Sequence, residues 1–365
     1  MPEISLRLDG YDLVGWQSVQ VQRSLDQLAD SFDLAMISPL SSSPPPTGVV
    51  REGDAVEIRY DDELVLSGYI DEVSESSTAT SFSLAVSGRS KAKDLVDCSA
   101  LHKGAWRNMR IDQIATDIAV PFGLRVSTDL PLADLPTERS FQLEAGESAF
   151  EAIDRLVRDY GLRVVSYPDG ELLLTRTGLL RFPDVVIERG INIIEGGVRR
   201  SENERFSQYI FRADLAADDE SWGENRAISF AVADDGVSRY RPLVVHRDGQ
   251  KRNATGQKAR KELEVAANWE RNTRAGKSLQ LSYRVLFPGD VTRSWEMGEH
   301  GVWTPNVIVG VIDDHHAVDG SFLVTSVSLR RSNAGTEAQL ELTHPEAYLP
   351  EKPPHKKSKK KGFSW

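Results

Sequence analysis

The strongest constraint on the fold is the alternation of apolar and polar residues in strand-like segments, and a weakly similar succession of such segments occurs near both ends of the chain. Near the start, VEIRYDD is followed by GYIDEVSES and SFSLAVS, and near the end VIVGVIDD is followed by GSFLVTSVS and TEAQLELT. Apolar and polar residues alternate in these segments, as in half-buried strands. Three-stranded meanders are common, so chance can explain the similarity. The alternative is two related β modules, and three such chains would present six similar modules around an axis.

Between these regions, the sequence predicts an α+β segment. Apolar residues recur at helical spacing at Ile111, Ile114, Ala115 and Ile118. In AGESAFEAIDRLVRDYG, Ser148 and Glu151 have the spacing of a capping box, and Gly161 can end the helix. The segments LRVVSY and ELLLTR follow, separated by Pro-Asp-Gly, which predicts a β-hairpin.

Strand patterns dominate again from about residue 200, interrupted by a helix predicted over residues 255–270. The predicted fold class is therefore α+β and mainly β, with two barrel-like β domains and an α+β intermediate domain. The predicted domains are residues 1–99, 100–200 and 201–346, followed by a flexible basic tail at 347–365.

Composition and charge limit the classes of function. Cys98 is the single cysteine among 365 residues, so one chain can form neither a disulfide nor a four-cysteine zinc site. The first residues lack the pattern of a signal peptide, and no apolar run reaches the roughly 20 residues of a membrane span. The net charge is −11, yet the six lysines from Lys352 onward leave the preceding residues at −17. An acidic body repels phosphate backbones, which disfavours nucleic acid as its main partner.

The usual signatures of catalysis are missing from the sequence, which contains no Walker loop, HExxH or GxGxxG. Residues 88–92 come nearest to a nucleophile elbow but lack its second glycine, so we expect Ser90 to end a strand. The acidic runs at 218–220 and 234–235 could in principle supply a carboxylate pair, but their polar context is typical of loops. We therefore expect no catalytic residues and no cofactor.

The run Asp313-Asp314-His315-His316 is the most metal-like cluster in the sequence. Adjacent residues of a strand point to opposite faces, so four consecutive side chains cannot easily converge on one ion. We interpret the run as a polar turn of a hairpin and expect no metal site. The other histidines are dispersed without ligand spacing.

The C-terminal tail EKPPHKKSKKKGFSW concentrates positive charge and ends in aromatic residues. Such a composition is disordered in isolation. It is either a solvated tail or a segment that orders on an acidic partner, with lysines supplying charge and aromatic rings supplying anchors; a nucleic-acid or localisation role is a third possibility. The candidate partner-binding residues are Lys356, Lys357, Lys359, Lys360, Lys361, Phe363 and Trp365.

Several stretches together resemble the Mu-type baseplate hub proteins, also described as the tail protein D or late control D group. They are RSLDQLADSFDLAM, GDAVEIRYDDELVLSGYIDEV, VSGRSKAKDLVDCSA, FQLEAGESAFEAIDRLVRDYGL, NIIEGGVRRSENERFSQYIFRA, VWTPNVIVGVIDD and LVTSVSLRRSNAGTEAQLELTHPEAYLP. The resemblance extends over nearly the whole chain. No single stretch among them is a catalytic signature.

The resemblance implies a structural, non-enzymatic subunit of a contractile phage tail. It implies a homotrimeric ring that joins the sixfold tail tube to the threefold central spike, located in the virion baseplate and assembled in the host cytoplasm. Its expected partners are the spike, the tube and other baseplate proteins, with DNA at most passing through a channel. The alternatives are a type VI-like secretion spike component and, from another class, a tail-associated cell-wall hydrolase.

Overall fold

The computed structural model describes most of the chain. The described ranges are residues 3–39, 50–101, 104–158, 160–214, 227–246, 256–286, 293–333 and 335–349. They divide into two compact units. Unit 1 is formed by residues 1–197 and 281–342, and unit 2 by residues 198–280 and 343–354.

Unit 1 begins with seven strands joined into one antiparallel sheet. They are β1 (Ile4–Leu8), β2 (Tyr11–Leu13), β3 (Ser18–Ser24), β4 (Gln27–Pro39), β5 (Ala55–Tyr60), β6 (Glu63–Ser77) and β7 (Ser81–Ser90). In β7, Phe82, Leu84 and Val86 are buried, whereas Ser83 and Ala85, which alternate with them, are more exposed. The alternation in the sequence therefore predicted the buried face correctly, and β5, β6 and β7 form the predicted meander.

The middle of unit 1 is the predicted α+β segment. Its elements are α1 (Lys93–Asp97), β8 (Trp106–Arg110), α2 (Ile111–Ala119), β9 (Val126–Thr128), β10 (Thr137–Phe141), α3 (Ala149–Arg158), β11 (Arg163–Ser166) and β12 (Leu172–Thr175). The capping box is confirmed, because the Glu151 amide donates to Ser148 Oγ at 3.2 Å and the Ser148 amide donates to Glu151 Oε2 at 2.8 Å. Strands β11 and β12 form the predicted hairpin. The apolar faces of α2 and α3 share one core.

The described residues of the rest of the chain form nine strands and one long helix. They are β13 (Leu180–Glu188), β14 (Ile193–Arg200), β15 (Gln208–Asp214), β16 (Ala227–Ala233), β17 (Pro242–His246), α4 (Gly256–Lys277), β18 (Leu279–Val285), β19 (Val307–Asp313), β20 (Val318–Ser332) and β21 (Gly335–Thr343). Helix α4 continues beyond the predicted end at residue 270. It has no proline, and Arg274 and Lys277 near its end suit the negative pole of the helix.

The C-terminal strands join the N-terminal sheet and repeat its order. The sheet runs β14-β18-β21-β20-β3-β4-β7-β6-β5-β1-β2, with β19 also paired to β20. The order β3-β4-β7-β6-β5 thus recurs as β14-β18-β21-β20-β19, and the corresponding strands also follow one another in the same chain order. We call these sets repeat A (β3 to β7) and repeat B (β14 and β18 to β21). The similarity seen over three strands in the sequence extends to five in the fold.

Unit 2 contains the residues inserted between the first two strands of repeat B. In it, β15 lies between β16 and β17, and α4 packs on this sheet. The core consists of Tyr209, Phe211 and Ala213 from β15 and of Leu263, Ala266 and Ala267 from α4. Small residues on the buried face of α4 allow the helix to approach the sheet closely.

The fold is mainly β with a smaller helical content, as the sequence predicted. Among the described residues, the main path of paired strands runs from β14 to β2, a branch leads from β20 through β19 to β13, and the path does not close on itself. The barrel-like form and the predicted domain boundaries therefore stay predictions. Within the described ranges, no helix is long and apolar enough to cross a membrane.

Candidate assembly surfaces

The two repeats meet where β3 pairs with β20, a junction that we call the seam. The strands are antiparallel, and Ser24, Gln22 and Gln20 lie opposite Ser326, Ser328 and Arg330. The Leu25 amide also donates to the Thr325 carbonyl at 2.8 Å. Only the second half of β20 takes part, because its first half pairs on the same side with β19. The seam therefore joins repeats A and B by a continuous backbone ladder.

A buried ion pair lies beside the seam. Arg23 Nε donates to Asp30 Oδ2 at 3.2 Å, and these side chains are only 4% and 6% exposed. The pairing of β3 with β4 shifts register between Gln22 and Ser24, so Arg23 sits at an irregularity of the ladder. Burial raises the pKa of Asp30 to about 6, although Arg23 and the Ser24 backbone act in the opposite direction.

Sequence reasoning missed this pair, although a signal was present. Val19, Val21 and Arg23 alternate on one face of β3, and Leu28, Asp30 and Phe32 alternate on the facing side of β4. Both charges therefore stand at positions where the alternation predicts apolar residues. A charge in such a position is costly unless it is paired.

The face of the sheet opposite the core is polar and crosses both repeats. One row of paired residues runs Arg330, Gln20, Asp33, Ser87 and Glu72 across five strands. A shallow groove of about 220 Å³ lies on this face over β3, β4, β6 and β7. Most of the side chains that line it are small or polar, which suits a broad contact rather than a binding pocket for a small molecule.

The run predicted as a polar turn is a short 3-10 turn between β19 and β20. Asp313, however, is fully buried at the centre of a polar cluster that the sequence analysis did not predict. It accepts hydrogen bonds from Arg189 Nε at 2.5 Å, Arg189 Nη2 at 3.0 Å and Tyr283 Oη at 3.0 Å. His316 Nδ1 lies 2.7 Å from Asp313 Oδ2.

These contacts make the cluster a structural connection between strands. The Arg189 guanidinium, before the smaller effects of His316 and Tyr283, holds the pKa of Asp313 well below its usual range. Both carboxylate oxygens already have donors, so the cluster offers no free ligand pair for a metal. In the part of the chain that the structure describes, no group of three or more potential ligands converges. Alternation again gave a signal, because Val309, Val311 and Asp313 lie on the buried side of β19.

The remaining sequence candidates have structural partners or lie outside the described ranges. Ser90 ends β7, as expected, and its Oγ accepts from the Asp30 amide at 3.1 Å. In unit 2, Asp234 is held by Arg205 at 2.7 and 2.8 Å, and that hydrogen bonding lowers the pKa of Asp234. The acidic run at 218–220 and the tail candidates lie outside the described residues. The latter are Lys356, Lys357, Lys359, Lys360, Lys361, Phe363 and Trp365.

Unit 2 also contains an open cleft with a volume of about 760 Å³. It is open and lined by side chains of both charges, including Arg200, Arg205, Glu202 and Glu346. Two of these are engaged elsewhere, since Arg205 binds Asp234 and Glu202 binds Arg239 at 3.2 Å. The cleft thus lacks a convergent set of catalytic groups.

Three models of protein families match separate stretches of the chain. "Mu phage baseplate assembly protein GpP-like, N-terminal" matches residues 3–90, "Baseplate hub protein gp44-like, second domain" matches residues 92–176, and "Mu phage baseplate assembly protein GpP, fourth domain" matches residues 258–351. They follow one another in the order that their descriptions give. Each match covers a structural domain and carries no catalytic description.

Individual proteins match along nearly the entire chain. Baseplate hub protein gp44 of Escherichia phage Mu is 27% identical over 374 residues, covering 99% of this chain and 93% of that protein. The 43 kDa tail protein of prophage MuSo2 from Shewanella oneidensis has a TM-score of 0.79 and 27% identity, covering 95% of this chain and 99% of that one. The E. coli c3393 protein, a type VI secretion component, shares the fold alone, with a TM-score of 0.55, 11% identity and coverage of 94% and 78%. The resemblance found in the sequence is thereby confirmed.

Proposed function

We propose that this chain, whose sequence and fold match Mu-type baseplate hub proteins, is the structural hub subunit of a contractile phage tail. The observation that carries this proposal is the match over 99% of the chain and 93% of the Mu hub protein. A relation that spans every domain supports a shared role better than a match to one module. The relatives are described as hub and tail proteins, which supports a structural and non-enzymatic role.

The hub forms a homotrimer that connects the sixfold tail tube with the threefold central spike. The internal repeat supports this arrangement, because three chains with two similar five-stranded sets present six similar surfaces. The subunit is located in the virion baseplate, is assembled in the host cytoplasm and contributes to penetration of the host envelope. Its partners are the spike, the tube and other baseplate proteins.

A secretion spike is the second candidate function. It is favoured by the fold that this chain shares with c3393, a component of a type VI secretion system.

If the chain is a phage hub, the lysines and aromatic residues of its C-terminal tail bind an acidic surface of the spike. Removal of residues 352–365 should then weaken spike binding without changing the oligomeric state. Equal binding by the truncated and full chains would remove the tail from the proposal.

Native mass spectrometry of the full chain is the first test of the trimer. Three copies of the 40.5 kDa chain give a mass of about 122 kDa. A phage that lacks this protein and is complemented with a tagged copy tests the location: the tag should appear at the baseplate in electron micrographs. Tails that assemble fully without the protein would contradict the hub role, and peptidoglycan clearing in a zymogram would favour the hydrolase.

A further inference from the structure

Repeats A and B have equivalent strands, but only one of the two equivalent pairs of strand edges is joined within the described chain. In the seam, the second half of β20 pairs with β3. The strand equivalent to β20 is β6, which also has 15 residues. The strand equivalent to β3 is β14, the first strand of repeat B. A second seam of the same kind would pair the second half of β6 with β14.

The second half of β6 lacks a partner on that side. Its first half pairs with β5 as far as Tyr69, and the Ile70 amide and carbonyl bind Asp54 and Gly53. From Glu72 to Ser77, β6 pairs with β7 on its other side, and no described residue forms a ladder on the β5 side. Five of these six residues are exposed. This unpaired half of β6 corresponds to the half of β20 that pairs with β3.

Strand β14 has the complementary free edge. Its one neighbour among the described strands is β18, where Arg284 binds Glu195 at 3.0 Å and Arg199 donates to Gln280 at 3.3 Å. In repeat A, the corresponding edge of β3 is the one that pairs with β20. An eight-residue strand with an open edge is a template for pairing, and proteins rarely leave one uncovered.

We propose that β14 of one copy pairs antiparallel with Glu72–Ser77 of the next copy, and so repeats the seam between chains. The contact joins two different surfaces, the edge of β6 on one copy and the edge of β14 on the next, so it is heterologous. Such a contact generates a closed ring when the rotation from one copy to the next is a whole fraction of a turn. This inference rests on the proposed hub function, since it names the surfaces by which the ring forms. The partner is a second copy of this chain.

Charge supports this pairing. In the seam, the start of the paired half of β20 lies opposite the end of β3, as Ser326 opposite Ser24 shows. The same antiparallel arrangement brings Glu72, at the start of the free half of β6, toward Arg199 near the end of β14. Opposite charges on neighbouring strands favour the correct partner and register.

Cysteine pairs test the contact on the full chain carrying Cys98→Ser. Ser74 and Ser76 share the polar face of β6 with Glu72, and Glu195 and Arg199 face the polar side of β14 through their bonds to Arg284 and Gln280. Chains with Ser76→Cys and Glu195→Cys, which lie opposite each other when Glu72 lies opposite Arg199, should form covalent dimers and trimers on mild oxidation. The matched control is Gln22→Cys with Ser328→Cys, which lie opposite each other in the seam and should crosslink within one chain.

Hydrogen exchange of the unmodified chain supplies the second readout. At concentrations where oligomers form, amides of Glu72–Ser77 and of β14 should exchange at least about tenfold more slowly than in dilute monomer. Glu75→Pro should remove that difference, because it blocks backbone pairing. An oligomer in which both segments exchange as fast as in the monomer would overturn the pairing while leaving the hub function standing. Protection of Glu72–Ser77 already in the monomer would show that the chain covers this edge itself, and would also overturn the proposal.

Discussion

In the seam, Gln22 of β3 lies directly opposite Ser328 of β20, so residues from the two ends of the chain are neighbours in one ladder. Strand pairs of such separation form only after a large loop is closed, which makes them costly to nucleate. The buried pair of Arg23 and Asp30 stands beside this contact. Stability of the seam is therefore coupled to charges as well as to backbone hydrogen bonds.

Asp313 should be important for stability although it performs no chemistry. Asp313→Asn keeps the size of the side chain but removes the charge that Arg189, Tyr283 and His316 surround. We expect a loss of about 2 kcal/mol in the free energy of unfolding, measured in urea, because charge-assisted hydrogen bonds are lost. Asp314→Asn, at the exposed neighbouring position, should stay within about 0.5 kcal/mol of the parent chain.

The effect of Asp313 should depend on pH in a defined direction. Its pKa is lowered in the folded chain, mainly by Arg189. The stabilisation is therefore fully present above the pKa of an unfolded aspartate, about 3.9, and is lost as the pH falls through the folded value. The difference in unfolding free energy between the parent chain and Asp313→Asn should be constant from pH 7 to 5 and shrink below about pH 4. A difference that grows in acid would contradict this assignment.

Asp30 should show the opposite dependence. Burial raises its pKa to about 6, so the folded chain binds this proton more tightly than the unfolded chain. Protonation of the Asp30 carboxyl therefore stabilises the folded chain. This stabilisation is fully present below about pH 4 and is lost as the pH rises through about 6. Relative to Asp30→Asn, the parent chain should gain up to about 2 kcal/mol between pH 7 and 4. Denaturant midpoints at several pH values measure this, with the exposed Asp26→Asn as control.

Gly88 of β7 should not tolerate a side chain. A Cβ at this position would lie 2.2 Å from the Tyr69 carbonyl oxygen and 2.5 Å from the Phe32 ring. Gly88→Ala should lower the free energy of unfolding by about 3 kcal/mol or reduce soluble expression, since backbone atoms must move. Gly197→Ala meets no atom within 4 Å and is the matched control for thermal unfolding. Equal melting temperatures for the two variants would contradict the close approach of β6 and β7 at Gly88.

The sequence by itself determined the local elements and the resemblance. Alternation fixed the buried faces of β5 and β7, and the spacing of Ser148 and Glu151 fixed the start of α3, because these features depend on neighbouring residues. The tertiary structure alone decided that β3 pairs with β20, that unit 2 is inserted into repeat B, and that Asp313 is buried among Arg189 and Tyr283. Alternation can mark Asp313 as lying on a buried face, but it does not identify its partners, because these pairings depend on contacts between segments that are distant in the sequence.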